Sequence, residues 1–269
     1  MKSWFPDADE KHQYVQRAFN GIARHYDVMN LIITGGLWRV WQRAFLRMLP
    51  LQVQSRANAP TCRYPAGPPI RILDVATGTG ELAILMGRKL KQLGLCSHPW
   101  INAGPLITGI DFSKEMLAVG QAKVRQAGLE KVVRLEWADA LSLPFPDNTF
   151  DLVTSGWALR NFSNLPQALR EMVRVTRPGG QVFLLEMTKP ELPGFKTLYY
   201  FYLLRIMPLL GRLAEGKRKE RAYAYLPQSL LRFVDRHQLE ELLRQAGLVG
   251  VGHRTLTLGT VAIHYGAKP

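Results

Sequence analysis

Three carboxylates in this chain stand where a ligand could be gripped. Asp74 lies near the end of the apolar run IRILDVA (70–76), Asp111 closes LITGID (106–111), and Asp139 falls near the end of VVRLEWADA (132–140). Short apolar runs bounded by turn residues read as buried strands. In an open parallel sheet, ligands bind outside the carboxyl ends of the strands. Aspartate at a strand end is also ordinary turn chemistry, but three on one edge favour a binding site. Gly78 and Gly80 follow Asp74 within the segment Asp74 to Glu81, and glycines there let the backbone turn tightly and approach a ligand. A dinucleotide fingerprint would carry a third glycine where Ala83 stands. Asp74 matters more. A helix N-terminus attracts anions, whereas a carboxylate beside it would repel a pyrophosphate and suit a ligand bearing an amino group. Asp111 can accept both hydroxyls of a ribose, although it lies further from Gly80 than the roughly 20 residues usual in that fingerprint. Asp139, with Ala140 beside it, can accept a hydrogen bond from an adenine amino group, and Phe112 can pack on the base.

The elements that must position these residues follow from periodicity. Residues 10–49 read as helices, with Tyr14, Ala18, Phe19, Ile22 and Tyr26 at helical spacing. Gly35-Gly36 breaks them, and Trp38, Trp41 and Phe45 then share a face. From residue 70 strands alternate with helices. Helices are expected over 82–93, 113–127 and 165–176, with further strands over 150–159 (FDLVTSGWAL) and 181–188 (QVFLLEMT), the latter entered through Pro178-Gly179-Gly180. Such alternation argues a parallel sheet covered on both faces. Residues 229–247 read as one helix after Leu226-Pro227, and the runs 249–259 and 260–269 as an antiparallel end of the sheet. Residues 52–69 and 95–105 read as surface insertions. One structural domain is expected, with residues 1–50 as a helical lid and 51–269 as the α/β body.

Composition narrows the class. The chain carries 35 Lys+Arg against 21 Asp+Glu, a net charge of +14. Such a surface suits nucleic acid or anionic lipid. The densest basic run is Gly216–Arg221, which can equally be a solvated helix face. No apolar run approaches the roughly 18 residues of a membrane span. The polar, acidic opening MKSWFPDADEKHQ predicts no signal peptide, and hence a cytoplasmic protein. Cys62 and Cys96 form no CxxC, and no His/Cys cluster has zinc-ligand spacing, so no metal site is expected.

The blocks along the chain resemble a known family. Asp74 to Glu81 is similar to motif I of class I S-adenosylmethionine-dependent methyltransferases. FNGIARHYDVMN (19–30), LPFPDNTFD (143–151), ALRNF (158–162), RVTRPGG (174–180), LLEMTKP (184–190), YAYLPQSLLRF (223–233) and TVAIHYGAKP (260–269) resemble the ubiquinone/menaquinone biosynthesis C-methyltransferase family. The resemblance spans nearly the whole chain. It implies a Rossmann-like class I methyltransferase fold with an N-terminal helical lid, S-adenosylmethionine as methyl donor, and a polyprenylated quinol as acceptor. The block YDVMN with GGLWRVWQ is closer to menaquinone-pathway members. By motif position the cofactor residues would be Thr79, Asp111, Asp139, Ala140 and Gly156. The family often has a small hydroxyl residue at the last of these, which here falls on the neighbouring Ser155.

Methylating a ring carbon requires electron density that a phenolate supplies. The protein must therefore align the reactants, favour loss of the phenol proton and exclude water. Arg160, in ALRNF, would stabilise a developing phenolate; a guanidinium is a poor base, so the proton would leave through water. Pairing with an acid for structural reasons is the alternative. Asn161 would orient ring oxygens or cap the next helix. Tyr26, beside Asp27 on the expected lid, and His264 in the tail are further candidates, although a satisfied strand histidine is the plainer account of His264. The apolar stretch Tyr199–Leu210, followed by Arg212 and the 217–221 basic run, reads as a core helix, as the wall of a prenyl-tail groove, or as a helix lying at the inner face of an anionic membrane. An RNA methyltransferase would carry a catalytic cysteine or an (N/D)PPY-type motif after strand four, where TSGWALRN stands, so no nucleic-acid partner is expected. Asp74 argues against an NAD-dependent oxidoreductase. A homodimer and a monomer are both left open.

Overall fold

The computed structural model describes residues 8–51, 70–94, 104–210 and 222–269. The insertion 52–69, most of 95–105, the basic run 216–221, Cys62 and Cys96 lie outside the described residues. Seven strands form one sheet: β1 Ile72–Val75, β2 Ile107–Asp111, β3 Val133–Trp137, β4 Phe150–Gly156, β5 Thr176–Met187, β6 Val249–Leu256 and β7 Val261–Ala267. Their order is β3-β2-β1-β4-β5-β7-β6. The first five run parallel, and β7 enters antiparallel between β5 and β6. Every residue of β1 and β2 is buried, which is why these strands read as continuous apolar runs rather than alternating ones.

Helices α3 (Leu37–Met48), α4 (Glu81–Gln92) and α5 (Lys114–Gln126) share one core with the sheet, built on Phe45, Met86, Leu90, Ile107 and Leu152. Helix α6 (Leu165–Val175) and the last helix, Arg236–Gln245, share the other, through Leu73, Val153, Met172, Leu184 and Leu239. Burying each such side chain contributes about 1.5–3 kcal/mol. A third cluster joins α1 (Ala8–Ile22) and α2 (Tyr26–Ile33) to Met116, Leu203, Met207 and Leu230. These two helices cross the carboxyl ends of the strands. Gln16 donates to the Phe112 carbonyl at 3.5 Å, Ser113 Oγ to Asn20 Oδ1 at 2.7 Å, and Thr79 Oγ1 to Asp27 Oδ1 at 2.7 Å. The α7 helix (Pro193–Phe201) continues as a π-turn at Tyr202–Ile206 and helical residues to 210.

Local structure departs from the sequence reading at five places. The stretch 150–159 is strand only to Gly156; Trp157 has φ +64°, which breaks the ladder, and Leu159–Asn161 form a 3₁₀ turn. The stretch 229–247 is two helices, α8 (Ala222–Arg232), with Pro227 inside it, and α9 (Arg236–Gln245). A capping box between Asp235 and Gln238 starts α9 and ends the continuity. The N-terminal helices break at residues 23–25 as well as at Gly35-Gly36. β3 stops at Trp137, two residues before Asp139. β5 begins at Thr176 and carries Pro178-Gly179-Gly180 within it, as an irregularity opposite Phe150 and Leu152. Among the described residues no helix is long and apolar enough to cross a membrane.

Candidate active site

Three adjoining cavities open at the carboxyl ends of β1, β2 and β4. The largest, about 780 Å³ and partly open to solvent, is lined by Gly78, Asp111, Phe112, Asp139, Ala140, Gly156 and Asn161 from the body and by His12, Val15, Phe19 and Tyr26 from α1 and α2. The second, about 590 Å³, is mostly aromatic and apolar: Phe19, Trp38, Trp41, Trp157, Met187, Met207 and Tyr225, with Asn30, Arg160, Asn161 and Ser229. The third, about 360 Å³, lies on the glycine loop against Asp74, Thr77, Gly78, Thr79 and Glu81. Tyr26 and Trp157 line all three, so the cavities meet at these two rings.

The two inner acids are held rigidly. Asp74, 1% exposed, accepts from Thr77 Oγ1 at 2.6 Å and Thr154 Oγ1 at 2.7 Å. Asp111 accepts from the backbone N–H of Gly78 at 2.8 Å and of Ser113 at 2.9 Å. Burial pushes both carboxyls from 3.8 up to about 6, against those hydrogen bonds. A cationic group beside Asp74 would relieve that penalty. Each carboxylate has about four acceptor positions, so two donors leave room for a ligand on either acid. Asp139 accepts from the Leu141 N–H at 2.9 Å. Gly78 has φ +56° and no atom within 4 Å of where a Cβ would stand, so its backbone faces open space in two of the cavities. These features fit an elongated ligand with an adenosine end at Asp111, Phe112 and Asp139 and an amino-acid end at Asp74.

Other expected cofactor residues also have structural partners. Thr79 spends its hydroxyl on Asp27 of α2 and also accepts from Lys123 at 3.2 Å; it ties the N-terminal helices to the loop. Lys123 bonds Asp27 at 2.8 Å and pairs with Glu81. Gly80, with φ +74°, lines none of the three cavities, and a Cβ on it would sit 3.0 Å from Leu135 Cδ1. It lets α4 approach the sheet. The Ser155 hydroxyl donates to the Val75 carbonyl at 2.8 Å and is fully buried between β1 and β4.

The aromatic cavity holds Arg160 and Asn161. Trp38 and Trp157 stack with centroids 4.6 Å apart. Arg160, 7% exposed, donates to the Trp157 carbonyl at 2.9 Å and pairs with Glu186, which is 1% exposed. The structural pairing with an acid is therefore present, and its partner Glu186 was not singled out from the sequence. The acid inside the apolar run LLEMT is the signal that could have found it. Buried polar atoms on residues lining this cavity that make no hydrogen bond among the described residues include Asn30 Nδ2, Trp38 Nε1, Trp157 Nε1, Arg160 Nε and Asn161 Oδ1. A buried group left unsatisfied costs about 1–3 kcal/mol, so this gathering around one cavity points to a ligand with oxygens to offer. Asn161 does not cap the next helix; Asn164 does, accepting from the Gln167 N–H at 3.1 Å. Burial raises the Tyr26 hydroxyl to about 12, so it stays protonated at neutral pH and is no base. His264 is brought to none of the three cavities. It is 1% exposed on β7, with Nε2 2.9 Å from the Arg236 carbonyl, and burial lowers it to about 4.

A profile of the ubiE/COQ5 methyltransferase family matches residues 7–268. The demethylmenaquinone methyltransferase of Symbiobacterium thermophilum is 37% identical over 266 residues, covering 98% of this chain and 96% of that protein. That of Geobacillus kaustophilus is 38% identical over 258 residues, covering 96% and 98%. Among solved structures, the 4+2 cyclase SpnF superposes with a TM-score of 0.62 at 20% identity over 98% of this chain and 97% of its own. A possible histamine N-methyltransferase from Thermotoga maritima gives 0.58 at 16%, over 94% and 99%. These two speak for the fold alone, and one of them is a cyclase, so activity must be argued from the site.

Proposed function

The chain belongs to the ubiE/COQ5 methyltransferase family, and from that premise we propose that it methylates a ring carbon of a polyprenylated naphthoquinol, demethylmenaquinol. The observation that carries this is the meeting of three cavities at Tyr26 and Trp157. S-adenosylmethionine supplies the methyl group, as an electrophilic sulfonium. Asp111, Asp139 and Phe112 would hold its adenosine end and Asp74 its amino group. The acceptor ring lies in the aromatic cavity between the tryptophans, and its oxygens meet the unpartnered donors of Trp38, Trp157 and Arg160. The unpartnered donors, Asn30 Nδ2 among them, outnumber the one acceptor, Asn161 Oδ1, and so favour the phenolate over the phenol. Arg160 stabilises that charge, and Asn161 takes the hydrogen bond of the remaining hydroxyl. The aromatic walls exclude water, and holding the two reactants in line removes most of the orientational cost. The demethylmenaquinone assignment of relatives at 37% and 38% identity supports the two-ring acceptor.

The acceptor's long tail needs an apolar exit. Val28, Ile32, Leu37 and Val40 on α2 and α3, and Leu192, Leu198, Phe201, Leu204, Ile206 and Leu209 along 192–210, are all exposed. Tyr202 joins the two groups by its hydroxyl bond to the Ile33 carbonyl. In the stretch 193–210, Leu203 and Met207 are buried while Leu204, Ile206 and Leu209 are exposed, so it is core on one face only. An apolar rim on a chain of net charge +14 suits an anionic bilayer surface, from which the ring enters while the tail stays in lipid. Incubating the purified chain with S-adenosylmethionine and chemically reduced acceptors, with mass spectrometry of the quinones, tests the proposal. Methylation of the naphthoquinol is expected. No transfer to it, or transfer only to the ubiquinone-pathway benzoquinol, would overturn the assignment.

A further inference from the structure

Three of the six histidines of this chain gather outside the three cavities. His237 and Glu240 stand one turn apart on α9, and His253 reaches them from β6. One ligand atom from each lies within 4.8 Å of the other two. His253 Nδ1 is 2.7 Å from Glu240 Oε1. The rings of His237 and His253 are 5.3 Å apart and nearly perpendicular, and the ring of His264 lies 5.4 Å from that of His253 on the buried side. None of the three residues lines a cavity described above.

We propose that His237, Glu240 and His253 form a site for a divalent transition metal of the zinc class. Two imidazoles and one carboxylate are a ligand set that zinc accepts, with water completing a four-coordinate shell. The elements are already fixed. Asp235 caps the start of α9 with bonds to the His237 and Gln238 N–H groups at 2.9 Å, and α9 packs against β6 and β7. The His264 Nε2 bond to the Arg236 carbonyl holds the residue preceding His237 against the sheet. Second, the short His253–Glu240 contact marks the space in which a cation would replace a proton. Metal binding would thus displace any proton shared there, and its affinity would fall in acid. The Arg244 bond to Glu240, at 3.1 Å, competes for one oxygen and leaves Oε1 for the metal. Bound metal would staple the last helix to β6, the strand at the sheet's edge.

The test uses the full chain without a polyhistidine tag, stripped with chelator, in a Cys62→Ser/Cys96→Ser background so that thiols contribute nothing. Calorimetric titration with zinc chloride should show one saturable site per chain, and cobalt(II) should give the visible absorption of a nitrogen/oxygen site. His253→Ala and Glu240→Gln should each weaken binding at least tenfold, while His25→Ala should not. Retained binding of S-adenosylhomocysteine and an unchanged circular dichroism spectrum would show that the variants are folded. Zinc should also raise the thermal midpoint of the parent and not of His253→Ala. No saturable binding, or binding undiminished in both His253→Ala and Glu240→Gln, would overturn the site.

Discussion

An Arg160→Met substitution strands the Glu186 carboxylate in the interior, because Glu186 is 1% exposed and Arg160 is its charged partner. Removing one member of a buried ion pair costs about 3–5 kcal/mol. In a chain of this size each kcal/mol moves the melting midpoint by roughly 2–4 °C, so a fall of roughly 6–20 °C is expected. The lower part of that range is favoured, since Glu186 keeps a bond from the Met187 N–H at 2.8 Å. Replacing both residues, as Arg160→Met with Glu186→Leu, removes the pair and its desolvation together, and stability should return to near the parent's. Turnover should not return. Loss of a cation that stabilises the phenolate costs about 10²–10³ in rate, by analogy with removal of one oxyanion donor. Differential scanning fluorimetry gives the midpoints, and quinol methylation at saturating S-adenosylmethionine gives kcat. A double variant that recovers both stability and turnover would refute a catalytic role for Arg160. A single variant that melts like the parent would refute the energetics assigned to the pair.

Three further outcomes follow from other parts of the site. Asn161→Leu removes an unpartnered buried acceptor and should raise stability by about 1 kcal/mol while lowering kcat; a denaturant titration beside the methylation assay checks both, and unchanged kcat would free Asn161 from the mechanism. Asp74 and Asp111 have folded values raised to about 6, so the unliganded fold binds their protons more tightly than the unfolded chain, and their contribution to stability falls as pH rises from about 4 to about 6. Ligand affinity runs the opposite way: S-adenosylhomocysteine should bind more weakly as pH drops below about 6, by up to about tenfold per unit for each acid, and a flat calorimetric profile would remove the need for ionised acids. Leu198→Glu with Phe201→Glu should abolish flotation with anionic vesicles and leave methylation of a short-tailed quinol intact; undiminished flotation would move the membrane contact elsewhere.

Much of the architecture was legible because its cause is local. The buried strands at Ile72–Val75 and Ile107–Asp111 announce themselves as short, largely apolar runs, and the acids at or near their ends could be set on one edge before any packing was known. The break before α9 was also written locally, as Asp235 and Gln238 in capping-box spacing, but the apolar periodicity on either side masks it. Trp157 was harder: a positive φ at a tryptophan is a strained state imposed by its surroundings, and no pattern in TSGWALRN predicts it. The second cavity was illegible for a similar reason. Its walls come from α1, α2, α3, the 3₁₀ turn, Met207 and α8, and only the tertiary arrangement brings Trp38 to Trp157. Glycine and threonine types in the loop suggested ligand contacts, yet Gly80 serves helix packing and the Thr79 hydroxyl serves α2.

The two helices that cross the strand ends carry a kinetic consequence. Phe19 and Tyr26 wall both the adenosine-side cavity and the aromatic one, and Lys11, Gln16, Asn20 and Asp27 fasten those helices to Phe162, Phe112, Ser113 and Thr79. Donor and acceptor therefore share one cover. On the proposed placement, release of the spent cofactor would disturb the wall against which the ring rests, and binding of the cofactor would complete that wall. Such coupling predicts a sequence in the catalytic cycle: cofactor first in, last out, through a ternary complex. Initial-rate plots should intersect rather than run parallel, and S-adenosylhomocysteine should compete with the methyl donor alone.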